Sequence, residues 1–141
     1  MSDREEVARF QKAIDKSGFV RLLDIKILEL EKDHAKGSMP FDEKYCNPYG
    51  SFHGGALYSL ADTIAGVLAD YAGCDVSTVE GSMHFLESVK DTEHVYCLAN
   101  VKRSGGHLIT VDVSITDDND KLLDCGTYTF FRLTKSDAHA S

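Results

Sequence analysis

The chain has no basic excess, no Cys-x-x-Cys pair, no apolar start and no apolar run long enough to cross a bilayer. Each absence removes a class of function. Lys and Arg number 15 against 23 Asp and Glu, a net charge of −8, so nothing is available to neutralise a phosphate backbone and nonspecific nucleic-acid binding is excluded. The opening Met-Ser-Asp-Arg-Glu-Glu is charged where a signal peptide needs an apolar stretch. With no membrane-length segment either, a cytoplasmic protein free of the membrane is expected. Cys46, Cys74, Cys97 and Cys125 are widely scattered, which suits reduced structural thiols better than a zinc site or a disulfide framework. His34, His84, His94 and His139 lack the spacing of metal ligands, and no metal is expected.

What is there is the material for one core: 141 residues, 43% hydrophobic, enough for a single domain over 1–141. Apolar spacing of Val7, Phe10 and Ile14 predicts a helix from about Arg4 to Lys16, closed by Ser17-Gly18. A strand from Leu23 to Glu31 turns near Lys32-Asp33 into a second that ends at Met39-Pro40. After a loop from Phe41 to Phe52 comes a helix reaching about Gly73. Four strands follow, Ser77 to Val89, His94 to Arg103, His107 to Thr116 and Lys121 to Leu133, parted by turn-forming residues. Alternation of Val111, Val113 and Ile115 with Asp112, Ser114 and Thr116 gives the sheet one buried face. The fold class is therefore α+β, one antiparallel sheet wrapped around one long central helix, with a short N-terminal helix in 1–17 and a disordered tail in 134–141. An open sheet edge predicts pairing with a second copy.

The central helix carries the chemistry. From Ala56 to Ala69 its only charge is Asp62, and Leu57, Leu60, Ile64, Val67 and Leu68 mark it as interior. An ionised group there costs several kcal/mol unless it has a partner, a cleft or a task. Gly55, Ser59, Asp62 and Gly66 fall in one row along the axis. The helix opens on His53-Gly54-Gly55, where unpaired N–H groups and missing side chains offer an oxyanion site at Gly54 and Gly55. A carbonyl oxygen on the Gly55 N–H would lie on the side of Asp62, placed to activate water or attack directly, a pattern suited to acyl transfer to water. A substrate bearing phosphates would need a local cationic patch, and the turn Lys102-Arg103-Ser104-Gly105-Gly106 offers one, though read alone it is more often an ordinary hairpin loop with solvated charges.

Asn47-Pro48-Tyr49-Gly50-Ser51-Phe52-His53-Gly54-Gly55, followed by Leu60-Ala61-Asp62, resembles the N-x-x-G-x-x-H-G-G…L-x-D signature of the PaaI-type acyl-CoA thioesterases of the hotdog superfamily. The resemblance runs from about Gly18 to Leu133 and includes the closing Gly126-Thr127-Tyr128-Thr129-Phe130. It implies Asp62 as general base or nucleophile, the Gly55 N–H as the group polarising the thioester carbonyl, Asn47 orienting thioester or water, and His53 organising the loop by hydrogen bonds. It also implies a hydroxyl early in the next strand, Thr78 or Ser77, that assists the water. Gly54, Ser59, Lys102, Arg103, Ser104 and Gly105 are the expected substrate contacts, with His107 where relatives often carry a second cation. No cofactor is implied, coenzyme A being part of the substrate. Homodimers with shared sites, paired into tetramers, are implied as well. The expected activity is hydrolysis of aryl or medium- to long-chain acyl-CoA, the acyl group meeting some of Tyr49, Phe52, Tyr58 and Phe85. The alternative is a noncatalytic acyl-CoA binding or sensing protein. A hotdog hydratase would need a different acid-base motif.

Overall fold

The computed structural model describes residues 3–72 and 75–133. Helix α1 covers Asp3–Ile14, α2 Gly18–Leu23 and α3 Gly54–Tyr71, with a single 3-10 turn at Glu43–Tyr45. Six strands, β1 Lys26–Leu30, β2 His34–Pro40, β3 Val76–Phe85, β4 His94–Ser104, β5 Leu108–Thr116 and β6 Leu122–Arg132, form one sheet. Its order is β1-β2-β4-β5-β6-β3, and every neighbouring pair is antiparallel. The edge strands are therefore β1 and β3, and β1 is covered by α1, whose Gln11 accepts from the Ile27 N–H and donates to Ile25 O. Cys46, Cys97 and Cys125 are free thiols, while Cys74 and the tail 134–141 lie outside the described residues.

Helix α3 packs on β2, β4, β5, β3 and β6, and its Leu57, Leu60, Ala61, Ile64, Ala65 and Leu68 are buried. On the facing side of the sheet stand Ala35, Met39, Val95, Cys97, Ile109, Val111, Ile115, Tyr128 and Phe130, all at most 1% exposed. Gly37 lets the helix close onto the sheet, because a Cβ there would strike the Ile64 side chain. The opposite face of β5 carries Thr110, Asp112, Ser114 and Thr116, only partly covered, as the alternation predicted.

Three features depart from the predicted elements. Ser17 caps a six-residue helix, its hydroxyl accepting from the Val20 N–H at 3.3 Å, where Ser17-Gly18 read only as a stop. The strand expected to reach Val89 ends at Phe85, since the Leu86 and Glu87 N–H groups both turn onto Leu123 O and Val89 N–H goes to Ser51 Oγ at 2.9 Å. Third, β3 carries a bulge between Thr78 and Glu80 that leaves Val79 unpaired against β6. The extra residue resets the alternation. Thr78, opposite Phe130, and Gly81, opposite Tyr128, both stand on the helix side, and so do Met83 and Phe85.

Candidate active site

Asp62 lies mid-helix in α3, half-buried, and Thr78 Oγ1 donates to its Oδ1 at 2.9 Å. The bulge is what turns Thr78, and not Ser77, toward the helix. Burial pushes the Asp62 carboxyl above the usual carboxylate range, and the Thr78 hydroxyl pulls it partly back. The pair opens into a cleft of about 330 Å³ with walls from Phe10 and Ile14 of α1 and from Gly66 and Phe130. Asp70, pushed up to about 6 by burial and by neighbouring Asp75, lies in the same cleft.

The start of α3 is organised differently from the expectation. His53 is the N-cap, in extended backbone conformation, and its Nδ1 accepts from the Gly55 N–H at 2.8 Å. Its carbonyl takes the Ala56 and Leu57 N–H groups at 3.0 and 3.3 Å. The donor assigned to the thioester carbonyl, the Gly55 N–H, is thus already engaged. The open one is its neighbour: among the described residues nothing accepts from the Gly54 N–H. Ring atoms of Phe85 sit 3.2 Å from where a Gly54 Cβ would be, so any other residue there would have to push the ring aside. Asn47 contributes a second donor. Its Oδ1 accepts from Tyr49 and Ser51 N–H at 2.9 and 3.1 Å, which fixes the carboxamide and leaves the NH₂ end free. Asn47, Gly54 and Phe85 line one cleft of about 540 Å³. Two unengaged donors therefore line one cleft.

Asp62 is not in that cleft. Eight residues of helix separate it from Gly54, about 12 Å of axial rise, so within one chain the carboxylate cannot reach a carbonyl held at Gly54. The expectation that one helix face brings glycine and carboxylate to the same carbonyl is corrected by this length. Ser59 shares the row, but its hydroxyl proton goes to Gly55 O at 2.8 Å.

Lys102 and Arg103, expected in the turn, stand at the end of β4 instead, Lys102 with its Nζ 3.9 Å from Asp112 Oδ1 and Arg103 exposed. Sequence reasoning missed a third cation here. Arg132, at the end of β6, donates from Nη2 to Ser104 Oγ at 2.6 Å and from Nε to Gly105 O at 3.0 Å. The His107 ring stacks on Phe131 with an interplanar angle of 10°. Of the aromatic candidates for an acyl pocket, Phe52 is core at 2% exposure, Tyr58 packs on Tyr128, and Tyr49 and Phe85 are exposed.

Residues 49–123, just over half of the chain, match the Thioesterase superfamily profile. The chain belongs to that superfamily. An esterase-named protein of Saccharolobus solfataricus is 30% identical over 104 residues, 72% of this chain and 74% of that one. The PaaI protein of the Escherichia coli phenylacetic acid degradation operon superposes with a TM-score of 0.85 at 21% identity, over 94% of this chain and 97% of that one. The fold is thus that of a PaaI-type hotdog thioesterase. A Streptococcus mutans protein solved with acetyl CoA matches at TM-score 0.75 and 27% identity, over 79% of this chain and 90% of that one. Among the described residues no helix is long and apolar enough to cross a membrane.

Proposed function

We propose that the protein is an acyl-CoA thioesterase whose sites are each built from two copies of the chain, needing no cofactor. One observation carries this reading: the two halves of the chemistry lie at opposite ends of an open edge strand. Thr78, holding Asp62, is near the start of β3, while Phe85, against Gly54, is at its end, seven residues or roughly 23 Å away. Antiparallel pairing of two β3 edges about a two-fold axis near Gly81 would bring the Thr78 end of each copy beside the Phe85 end of the other. The site then holds Asp62 and Thr78 from one copy, with Gly54 and Asn47 from its partner.

In this arrangement the thioester oxygen sits on the Gly54 N–H and the Asn47 amide. Asp62 takes a proton from water as the water oxygen bonds to the carbonyl carbon. The C–S bond then breaks and the proton passes to the departing sulfur, giving free acid and coenzyme A. Direct attack by Asp62, through a transient anhydride that water then opens, uses the same groups. Label from ¹⁸O-water found in Asp62 after a single turnover would establish the anhydride route with water opening it at the Asp62 carbonyl, since a general base keeps its own oxygens. Lys102, Arg103 and Arg132 lie at the Asp62 end of the sheet, because Leu108 pairs with Phe131 and Phe131 with Ser77. Cations at that end support a role in holding a nucleotide's phosphates, and the acetyl CoA held by the Streptococcus mutans relative supports this ligand class.

The direct test is thiol release from a panel of aryl and of medium- and long-chain acyl-CoAs. Turnover of at least one group is expected, from a dimer or a dimer of dimers by light scattering. Saturable binding without free thiol would establish the noncatalytic alternative. Arg132→Ala should raise KM for acyl-CoA roughly tenfold, the scale of one hydrogen bond to a charged group, with little change in kcat. The same variant should leave KM unaltered for a thioester that lacks the nucleotide.

A further inference from the structure

We infer that His53 is a positioning residue that sets the oxyanion site only in its neutral form, so that the site is switched off by protonation at a histidine distinct from the base. This rests on the thioesterase reading above and adds a form of regulation to it. An N-cap is ordinarily a serine, threonine, aspartate or asparagine, whose oxygen accepts at any working pH. Here the acceptor is a ring nitrogen. The 2.8 Å bond from the Gly55 N–H to His53 Nδ1 requires an unprotonated Nδ1, which puts the ring proton on Nε2. An imidazolium carries N–H on both nitrogens, and no rotation of the ring restores an acceptor. The cap is then lost, and a positive charge faces the positive end of α3.

The consequence falls on Gly54. Its N–H is the next donor along the chain from the capping side chain, and its direction depends on the first turn of α3 being closed. Releasing Gly55 also sets a competing N–H loose one residue from the intended donor. The groups sharing the His53 pocket are Lys44, Tyr45 and Cys46 from the segment before α3, while α2 contributes only Phe19, Leu22 and Leu23. In the shared site proposed above, Asp62 of the second copy is the carboxylate brought toward this turn. None of the side chains from the chain's own elements is an acid able to take over the proton-accepting role toward Gly55. A ring nitrogen can take up a proton where a serine hydroxyl cannot, so the device responds to acid where a serine cap would not.

The test compares His53→Asn and His53→Ala with the unaltered enzyme across pH. For the unaltered enzyme two protonations, at Asp62 and at His53, should give log kcat an acid limb of slope about 2. His53→Ala should lose roughly tenfold or more in kcat at neutral pH, on the scale of a lost cap. His53→Asn, which restores a non-titrating acceptor, should recover much of that loss and reduce the acid slope to about 1. A nitrogen-15 spectrum of the unaltered protein should show protonated Nε2 and bare Nδ1. The Gly55 amide proton should shift as His53 titrates, a readout independent of any thioesterase activity. A protonated Nδ1 in the neutral protein, or an Asn variant with the full acid slope of the unaltered enzyme, would overturn the proposal. Inactivity of all forms toward acyl-CoA, with the Gly55 shift intact, would overturn the thioesterase reading and leave the cap.

Discussion

Asp62→Asn should leave a folded protein of unaltered oligomeric state whose thiol release from acyl-CoA is slower by at least about 10³-fold, near the upper range for loss of a positioned base. Asparagine keeps the shape and can still take the Thr78 hydroxyl, so the loss isolates the charge. Retention of most activity would remove Asp62 from the mechanism. The same residue tests the shared site. In a mixed dimer of Asp62→Asn and Gly54→Val subunits, one site carries both changes and the other carries neither. Randomly reassociated mixtures of two inactive proteins should therefore regain roughly a quarter of full activity, since half the dimers are mixed and each has one intact site. A site contained in a single chain would regain none. Thr78→Val bears on the acid limb. Without the hydroxyl that pulls Asp62 down, burial acts alone, the carboxyl titrates higher, and the rate should fall at a higher pH than in the unaltered enzyme.

Helix α3 was legible in the sequence because its apolar residues recur at helical spacing, and a lone charge among them is rare. The motif from Asn47 to Asp62 also named, in order, residues of the candidate site. What it could not show was which backbone N–H is free, since that depends on a ring nitrogen choosing Gly55 over Gly54. The position of Thr78 depended on a bulge, and alternation counted along β3 without it puts every later residue on the wrong face. Arg132 was invisible for a different reason. It stands 28 residues from Ser104 in the chain and meets it only because β6 runs beside the β4–β5 turn, a matter of strand order that periodicity does not encode. Asp124 was read only as part of a strand, and the structure makes it the most anomalous charge in the core.

Asp124→Val should stabilise the protein, and by more as the pH rises. The residue sits on the helix side of β6 between Ile115 and Phe85, with no exposed surface and no hydrogen-bond partner on either oxygen. The nearby Leu86 N–H is already given to Leu123 O at 2.9 Å. Burial pushes the carboxyl up to about 7, against a lesser downward pull from that same N–H. The sign follows from proton counting. Between about pH 4, where an unfolded aspartate titrates, and about 7, the unfolded chain releases a proton that the folded chain keeps, so stability falls with rising pH across this window and then levels. A rise of this size amounts to about 4 kcal/mol lost between the two plateaus, and valine removes that term at the same strand position. At pH 8 the variant should melt on the order of 10 °C higher, and the advantage should shrink steadily toward pH 4. Calorimetry at three pH values checks both sign and slope. A variant less stable than the unaltered protein at pH 8 would mean that the carboxylate has a partner in the assembled protein, and the second copy would be the place to look for it.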